Sequence, residues 1–293
     1  MTKDNWKRWG DDDERGALNH IGPDQVKRAA SLVASGEVLT LAQSLSPRTP
    51  VPAHRHGIQH FMGRDGGDYE AGARRPGGFQ FAEDTVVLPL HIGTHIDALC
   101  HAWYDDQLFN GFPQSGTRST SGAAHCGIDK MGPIVSRGIL LDIVRLHGTP
   151  PADGAAITLD DLQRAAQAAS VKPEKGDIVL IRTGWQERIK PGVSFNEEPG
   201  INLEAGLWLA ESEVAIVGAD NFAVEQLPFP AGSVFPVHQR LIRDFGIPLL
   251  EGLVLRPLAD ALAQAGRGEF LFAAAPLPVV GGTGSPIAPI AVL

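Results

Sequence analysis

Cysteine is scarce in this chain, with two residues among 293, Cys100 and Cys126. Two thiols build no multi-bridge framework, so a reducing, cytoplasmic setting is expected. Long apolar runs are missing too. No stretch approaches the ~18 consecutive apolar residues of a spanning helix, and the charged opening MTKDNWKRWGDDDERG lacks the apolar core of a secretory signal. Basic charge is in deficit: 25 Lys and Arg against 34 Asp and Glu leave a net charge of −9. That argues against nucleic acid or an anionic membrane as the main partner, and a small-molecule substrate is expected instead. No G-x-S-x-G elbow occurs, which weakens a serine-hydrolase reading. GGTGSP, near Gly281, is not followed by the lysine-bearing helix of a phosphate cradle. With no internal repeat, low-complexity tract or linker, residues 1–293 are expected to form one domain.

Glycine and proline, by contrast, are plentiful, at 34 and 22 residues, and mark many turns between short elements. DQVKRAASLVASG predicts a helix from Pro23 to Gly36, and VLTLAQSL a strand. The stretch from Ser46 to Phe81 reads as a long loop, of the kind that is functional or mobile. Thr85 to Ile92, TVVLPLHI, predicts a strand running straight into a histidine cluster. GILLDIV, DIVLIRTG, EVAIVGAD and EFLFAAAPL predict further buried strands. Helices are expected over TLDDLQRAAQAAS, capped by Thr158 with Asp161 three residues on, over GLWLAES, over HQRLIRDFG from His238, and over LADALAQAG. Alternating strands and helices predict a mixed α/β domain.

The densest chemistry is HIGTHIDALCH, which packs His91, His95, Asp97 and His101 into eleven residues. All four are odd-numbered. On an extended segment they share one face, whereas a helix would turn Asp97 away. Imidazoles and a carboxylate are costly to bury without partners. Two imidazoles and a carboxylate converging on one point form a ligand shell for a divalent ion such as zinc or manganese. Cys100, of opposite parity, is expected to point away. The competing reading is a hydrogen-bonded His/Asp network without metal.

HIGTHIDALCH resembles the H-x-G-T-H-x-D-x-P-x-H signature of the cyclase family, which includes bacterial kynurenine formamidases and isatin hydrolases. Leu99 stands where that pattern has proline. Further similarity lies in RWGDDDERGALN, IRTGW, VGAD and HQRLIRDFGIPLLEGL. The resemblance implies a swivelling β/β/α-type architecture around a small, distorted β-barrel, assembled as a homodimer or homotetramer. It implies one or two ions, Zn²⁺ or Mn²⁺, held by His91, His95 and Asp97, with His238 and Glu251 completing a second position that Asp97 bridges. His101 is implied as the general acid/base. The implied activity is hydrolysis of a formamide, lactam or lactone-type ester; a metal-dependent cyclase or dehydratase, or a non-catalytic binding protein, uses the same shell.

His60, in AHRHGIQHFMG, is the loop histidine expected near a substrate pocket, and His54 and His56 are expected to be solvated or substrate-lining. Trp9 is a second pocket candidate, with packing as its alternative. Glu197 and Glu198, in GVSFNEEPGIN, read as a solvated loop.

Overall fold

The computed structural model describes residues 4–190 and 192–293. Nine strands form one mixed sheet that curls into a half-barrel. In chain order they are β1 (Val38–Thr40), β2 (His95–Asp97), β3 (Ile134–Asp142), β4 (Ile178–Arg182), β5 (Ile216–Ala219), β6 (Leu249–Glu251), β7 (Glu269–Ala274), β8 (Gly284–Pro286) and β9 (Ile290–Val292). Across the sheet the order is β1-β9-β7-β3-β4-β5-β6-β2-β8. The run β3 to β6 is parallel, and every other pairing is antiparallel. The parallel centre follows from composition: all five residues of β4, IVLIR, are buried, as a strand covered on both faces requires.

The four longest helices are α1 (Pro23–Ala30), α2 (Leu159–Ala168), α3 (Leu203–Glu211) and α4 (Arg256–Ala265); α1 and α2 pack on β3, and α3 packs on α2. The expected capping of α2 is present. Thr158 accepts the Asp161 N–H and the Asp161 side chain reaches back to Thr158 N–H, at 3.2 and 2.9 Å. Helix α1 ends at Ala30, short of the expected Gly36. Beyond it the N–H groups of Ser35 and Gly36 both donate to the Leu293 carbonyl, at 3.0 and 2.7 Å, so a long-range contact overrides the helical pattern.

Two expectations fail between Ser46 and Ile92. The presumed loop contains a strand, Gln59–Arg64, and a short helix, Gly66–Glu70, capped by Asp65. That strand pairs antiparallel with Glu83–Val87. The apolar TVVLPLHI is therefore one arm of an exposed hairpin, with Val86 and Val87 about half exposed, and extension ends at Val87. Pro89 brings no ladder donor, and Gly93 turns the chain at φ +56°, where a Cβ would lie 2.4 Å from Leu45 Cδ2.

His238 does not open its helix; it closes a turn, Pro236–His238, that continues as a π-helix over Gln239–Asp244. Phe235 starts that turn at φ +47°. Leu241 and Ile242 on the π segment are buried in the core, and His238 just before it is buried against Asp97 and Glu251. Gly246, at φ +64°, ends the segment as expected. Among the described residues no helix is long and apolar enough to cross a membrane.

Candidate metal centre

Only three of the eleven residues of HIGTHIDALCH are strand, yet the four expected side chains converge. Strand β2 lies between β6 and β8, with His95 opposite Glu251 and Asp97 opposite Gly284. Thr94 fastens this register: its hydroxyl donates to Gly252 O at 2.7 Å and accepts the Gln43 N–H at 3.0 Å. His91 precedes the Gly93 turn, and His101 follows a turn closed by its N–H on Ala98 O at 2.9 Å. Shared parity along one extended strand is therefore not the cause of convergence; two turns bring the outer histidines back. Cys100 is buried and directed to Gly282 O, outside the cluster, as expected.

Asp97 is the hub. His91 Nδ1 lies 2.7 Å from its Oδ1, His95 Nε2 3.8 Å from the same oxygen, and His238 Nε2 and His101 Nε2 lie 3.6 and 4.0 Å from Oδ2. Glu251 closes the opposite side, with Oε2 3.1 Å from His95 Nε2 and Oε1 3.2 Å from His238 Nε2. Two triples could each hold an ion, His91/Asp97/His101 and Asp97/His238/Glu251, with ligand atoms within 4.8 Å of one another and Asp97 common to both. His101 thus stands in one triple, and His95 flanks both through its contacts with Asp97 and Glu251. The second nitrogen of His91 lies 3.0 Å from Thr283 Oγ1.

Electrostatics fit a cation. Burial lowers the pKa of His238, but Glu225 and Glu251 outweigh it and push it up to about 10. His95 is likewise depressed by burial and raised on balance by Glu251 and Asp97. Burial raises the Asp97 and Glu251 carboxyls, and the surrounding imidazoles bring both below the usual range. Protons on imidazole thus neutralise the carboxylates, and a divalent ion would displace them. His95 Nε2 and Asp97 Oδ2 are buried without a hydrogen-bond partner among the described residues. Although 3.1 Å separates His95 Nε2 from Glu251, the pair is not aligned as a hydrogen bond. Such orphaned atoms in a nitrogen and carboxylate set suit zinc or manganese.

The Cyclase family model matches residues 39–226, more than half of the chain. The chain belongs to the cyclase family. A solved structure described as a novel cyclase superposes over 100% of both chains at a TM-score of 0.94 and 39% identity. An isatin hydrolase from Roseibium aggregatum is 27% identical over 225 residues, 73% of this chain and 75% of that protein. A crystal structure of an isatin hydrolase bound to the product analogue thioisatinate shares the fold, at a TM-score of 0.63, 23% identity and coverage of 91% and 95%. His238 and Glu251 lie beyond the matched segment, so their place beside Asp97 in this chain rests on the geometry.

The remaining candidates part ways. His60 sits on the exposed hairpin, 2.6 Å from Asp84, and joins neither triple. Trp9 is partly buried, packed on the core and edge-on to His20, their rings 5.0 Å apart. IRTGW and VGAD meet each other: Asp220 accepts Thr183 N–H, Thr183 Oγ1–H and Gly184 N–H, each at 2.7 Å. Glu198 is fully buried, not solvated, and accepts the Phe222 N–H at 2.7 Å.

Three contributors to the site had no readable signal. Glu225 Oε1 lies 2.6 Å from His238 Nδ1 and accepts the His238 N–H at 2.9 Å, while Oε2 accepts the Val237 N–H at 3.1 Å. It holds the ring so that Nε2 faces Asp97 and Glu251. Thr283, in the GGTGSP stretch, tethers His91. Arg55 donates to the His91 carbonyl at 2.5 Å, its guanidinium 4.9 Å above the Phe222 ring. Burial lowers its pKa, and the charges of Glu251 and Asp97 oppose that shift.

Proposed function

We propose that this cyclase-family chain is a divalent-metal-dependent hydrolase that cleaves an amide, of the formamide or lactam type, or a lactone-type ester. The observation that carries the reading is the buried knot around Asp97, in which His95 Nε2 and Asp97 Oδ2 have no hydrogen-bond partner among the described residues. The 27% identity to an isatin hydrolase supports the reaction class. In this reading His91, His95, Asp97, His238 and Glu251 hold one or two ions, zinc or manganese, with Asp97 shared. When bound, such an ion supplies Lewis acidity and lowers the pKa of a water towards about 7.

The chain's own residues do the rest. His101 stands at the rim, its side chain 28% exposed and its Nε2 4.0 Å from Asp97 Oδ2. Burial lowers its pKa to about 4, so the imidazole is neutral and free to accept a proton from the attacking water. The same nitrogen returns that proton to the departing nitrogen or oxygen. Asp97, anionic and close by, stabilises the imidazolium in between. The reading carries with it a small-molecule substrate and a homo-oligomeric assembly.

Elemental analysis of the purified protein, with a hydrolysis screen of N-formyl aromatic amines, isatin-like lactams and lactones, tests the proposal. Bound zinc or manganese and turnover of one class are expected. Asp97→Ala should empty the site and abolish turnover while the chain stays folded. Full metal occupancy in that variant would overturn the assignment.

A further inference from the structure

A cleft of about 350 Å³ opens between α2 and α4, and none of its lining residues belongs to the metal centre. Ala165 and Ala168 of α2 line it on one side and Ala259 and Ala263 of α4 on the other, with the buried Leu140 of β3 and Leu262 among them. Alanine methyls are short, so the two helices leave a gap that the chain itself does not fill. Water in such a gap meets mostly hydrocarbon, and an apolar body that displaced it would gain by burial. The volume falls in the range of small-molecule pockets, about 300–1,000 Å³, and is too confined to seat a protein face of ~800 Å².

Charge in the cleft is one-sided. Arg145 and Arg267 both line it, and neither guanidinium is paired with a carboxylate among the described residues. Arg267 donates from Nη1 to Leu32 O at 2.7 Å, while its Nε and Nη2, enclosed by protein, have no acceptor among the described residues. Enclosed donors without an acceptor are rare in folded proteins. The one carboxylate in the lining is already engaged: Asp142 meets Arg182 Nη1 at 3.0 Å and accepts the Arg145 N–H at 2.9 Å. The helix ends beside the cleft compete little for the guanidiniums, because the carbonyls of Ala166 and Leu262 accept the Val171 and Arg267 N–H groups, at 2.9 and 3.1 Å. In a chain of net charge −9, two unpaired arginines beside an apolar gap are a local exception. A guanidinium offers a planar fork of donors that matches a carboxylate, so the pair suits an anionic head on an apolar body.

We propose that the cleft between α2 and α4 is a second ligand site, which takes an amphipathic organic anion with an aliphatic body and a carboxylate head. The body lies against Leu140, Leu262 and the alanines of the two helices. The head takes Arg267 and Arg145. A neutral molecule of the same shape gains the burial but lacks the group that the arginines recognise, and a cation is repelled. The site stands apart from the hydrolase reading and survives its failure, since it shares no residue with the metal centre.

Octanoate and octan-1-ol share one body and differ in the head. Each is titrated calorimetrically into the protein as purified and again after chelator treatment. Octanoate should bind more tightly than octanol, and equally well with and without chelator. Arg267→Gln should weaken octanoate about tenfold and the exposed Arg145→Gln about threefold, each leaving octanol within about twofold. Ala263→Trp, at an exposed position beside the gap, should fill it and weaken both probes by more than about tenfold. Melting temperature reports the fold of each variant; should Arg267→Gln not fold, Arg145→Gln and Ala263→Trp decide. Octanoate affinity that is unchanged by Ala263→Trp overturns the proposal. So does equal affinity for the two probes in wild type, or octanoate binding that the chelator abolishes, which would put the anion on the metal centre instead.

Discussion

Glu225→Gln isolates the contribution of a carboxylate that lies one bond behind the proposed ligands. In wild type, Oε1 faces His238 Nδ1 at 2.6 Å and the His238 N–H at 2.9 Å, while Oε2 takes the Val237 N–H at 3.1 Å. Glutamine keeps one acceptor, so its carbonyl can stay on His238. The amide NH₂ then meets the Val237 N–H donor to donor, which orphans a buried group at a cost of about 1–3 kcal/mol. The His238 ring remains placed but faces a neutral acceptor, so its Nε2 becomes a poorer base. Carboxylates behind ligating histidines contribute about 10–100-fold in metal affinity. Glu225→Gln, which keeps the geometry, should sit near tenfold, ~1.4 kcal/mol, and Glu225→Ala, which frees the ring, near a hundredfold. Competition for zinc against a chromophoric chelator measures both, with melting of the metal-free proteins reporting fold loss separately. Zinc affinity within twofold of wild type in a folded Glu225→Ala would refute the reasoning.

His101→Ala should retain its metal and lose about 10²–10⁴ of kcat, about 3–5 kcal/mol of barrier; metal loss in step with activity would instead make His101 a ligand in the triple it shares with His91 and Asp97. Glu198 is pushed up to about 9 by burial, with the charges of Glu251 and Asp220 adding to it. An acid whose folded pKa is raised binds more protons folded than unfolded, so its contribution to stability falls as pH rises from 4.5 to about 9. Glu198→Gln should therefore raise the melting temperature of chelator-treated protein at pH 8 by about 2–4 °C per kcal/mol recovered, and leave it unchanged near pH 4.5. The same difference at both pH values would show that the carboxyl does not titrate this way.

The site was legible where its residues are crowded and illegible where they are scattered. His91, His95, Asp97 and His101 stand out because four ionisable groups in eleven residues have no economical burial except against one another. The parity argument reached the right convergence through the wrong backbone, since Gly93 and the turn before His101 interrupt extension. His238 and Glu251 were reachable only through resemblance, because nothing local marks which lone histidine or glutamate will face Asp97. Glu225, Thr283 and Arg55 are ordinary in sequence and acquire roles from partners far along the chain. Burial misled in both directions. The apolar Thr85–Val87 is exposed because its strand lies in a hairpin off the main sheet, and Glu198, set among loop residues, is fully enclosed. Local pattern speaks to conformation; which face is covered is decided by elements that arrive later.

The position of β2 between β6 and β8 bears on how this protein comes into being. His91 and Thr283 are 192 residues apart, and Asp97 finds its edge partner at Gly284. During synthesis the histidine-rich segment emerges early and must wait for the last strands before it has neighbours on both sides. Contacts of such sequence separation form slowly and late. The liganding side chains are therefore enclosed only after residues 283–286 have been made, and an ion captured earlier would meet an incomplete cage. Removal of the few residues from Gly284 onward should leave the parallel core able to collapse while depriving Asp97 of its outer wall.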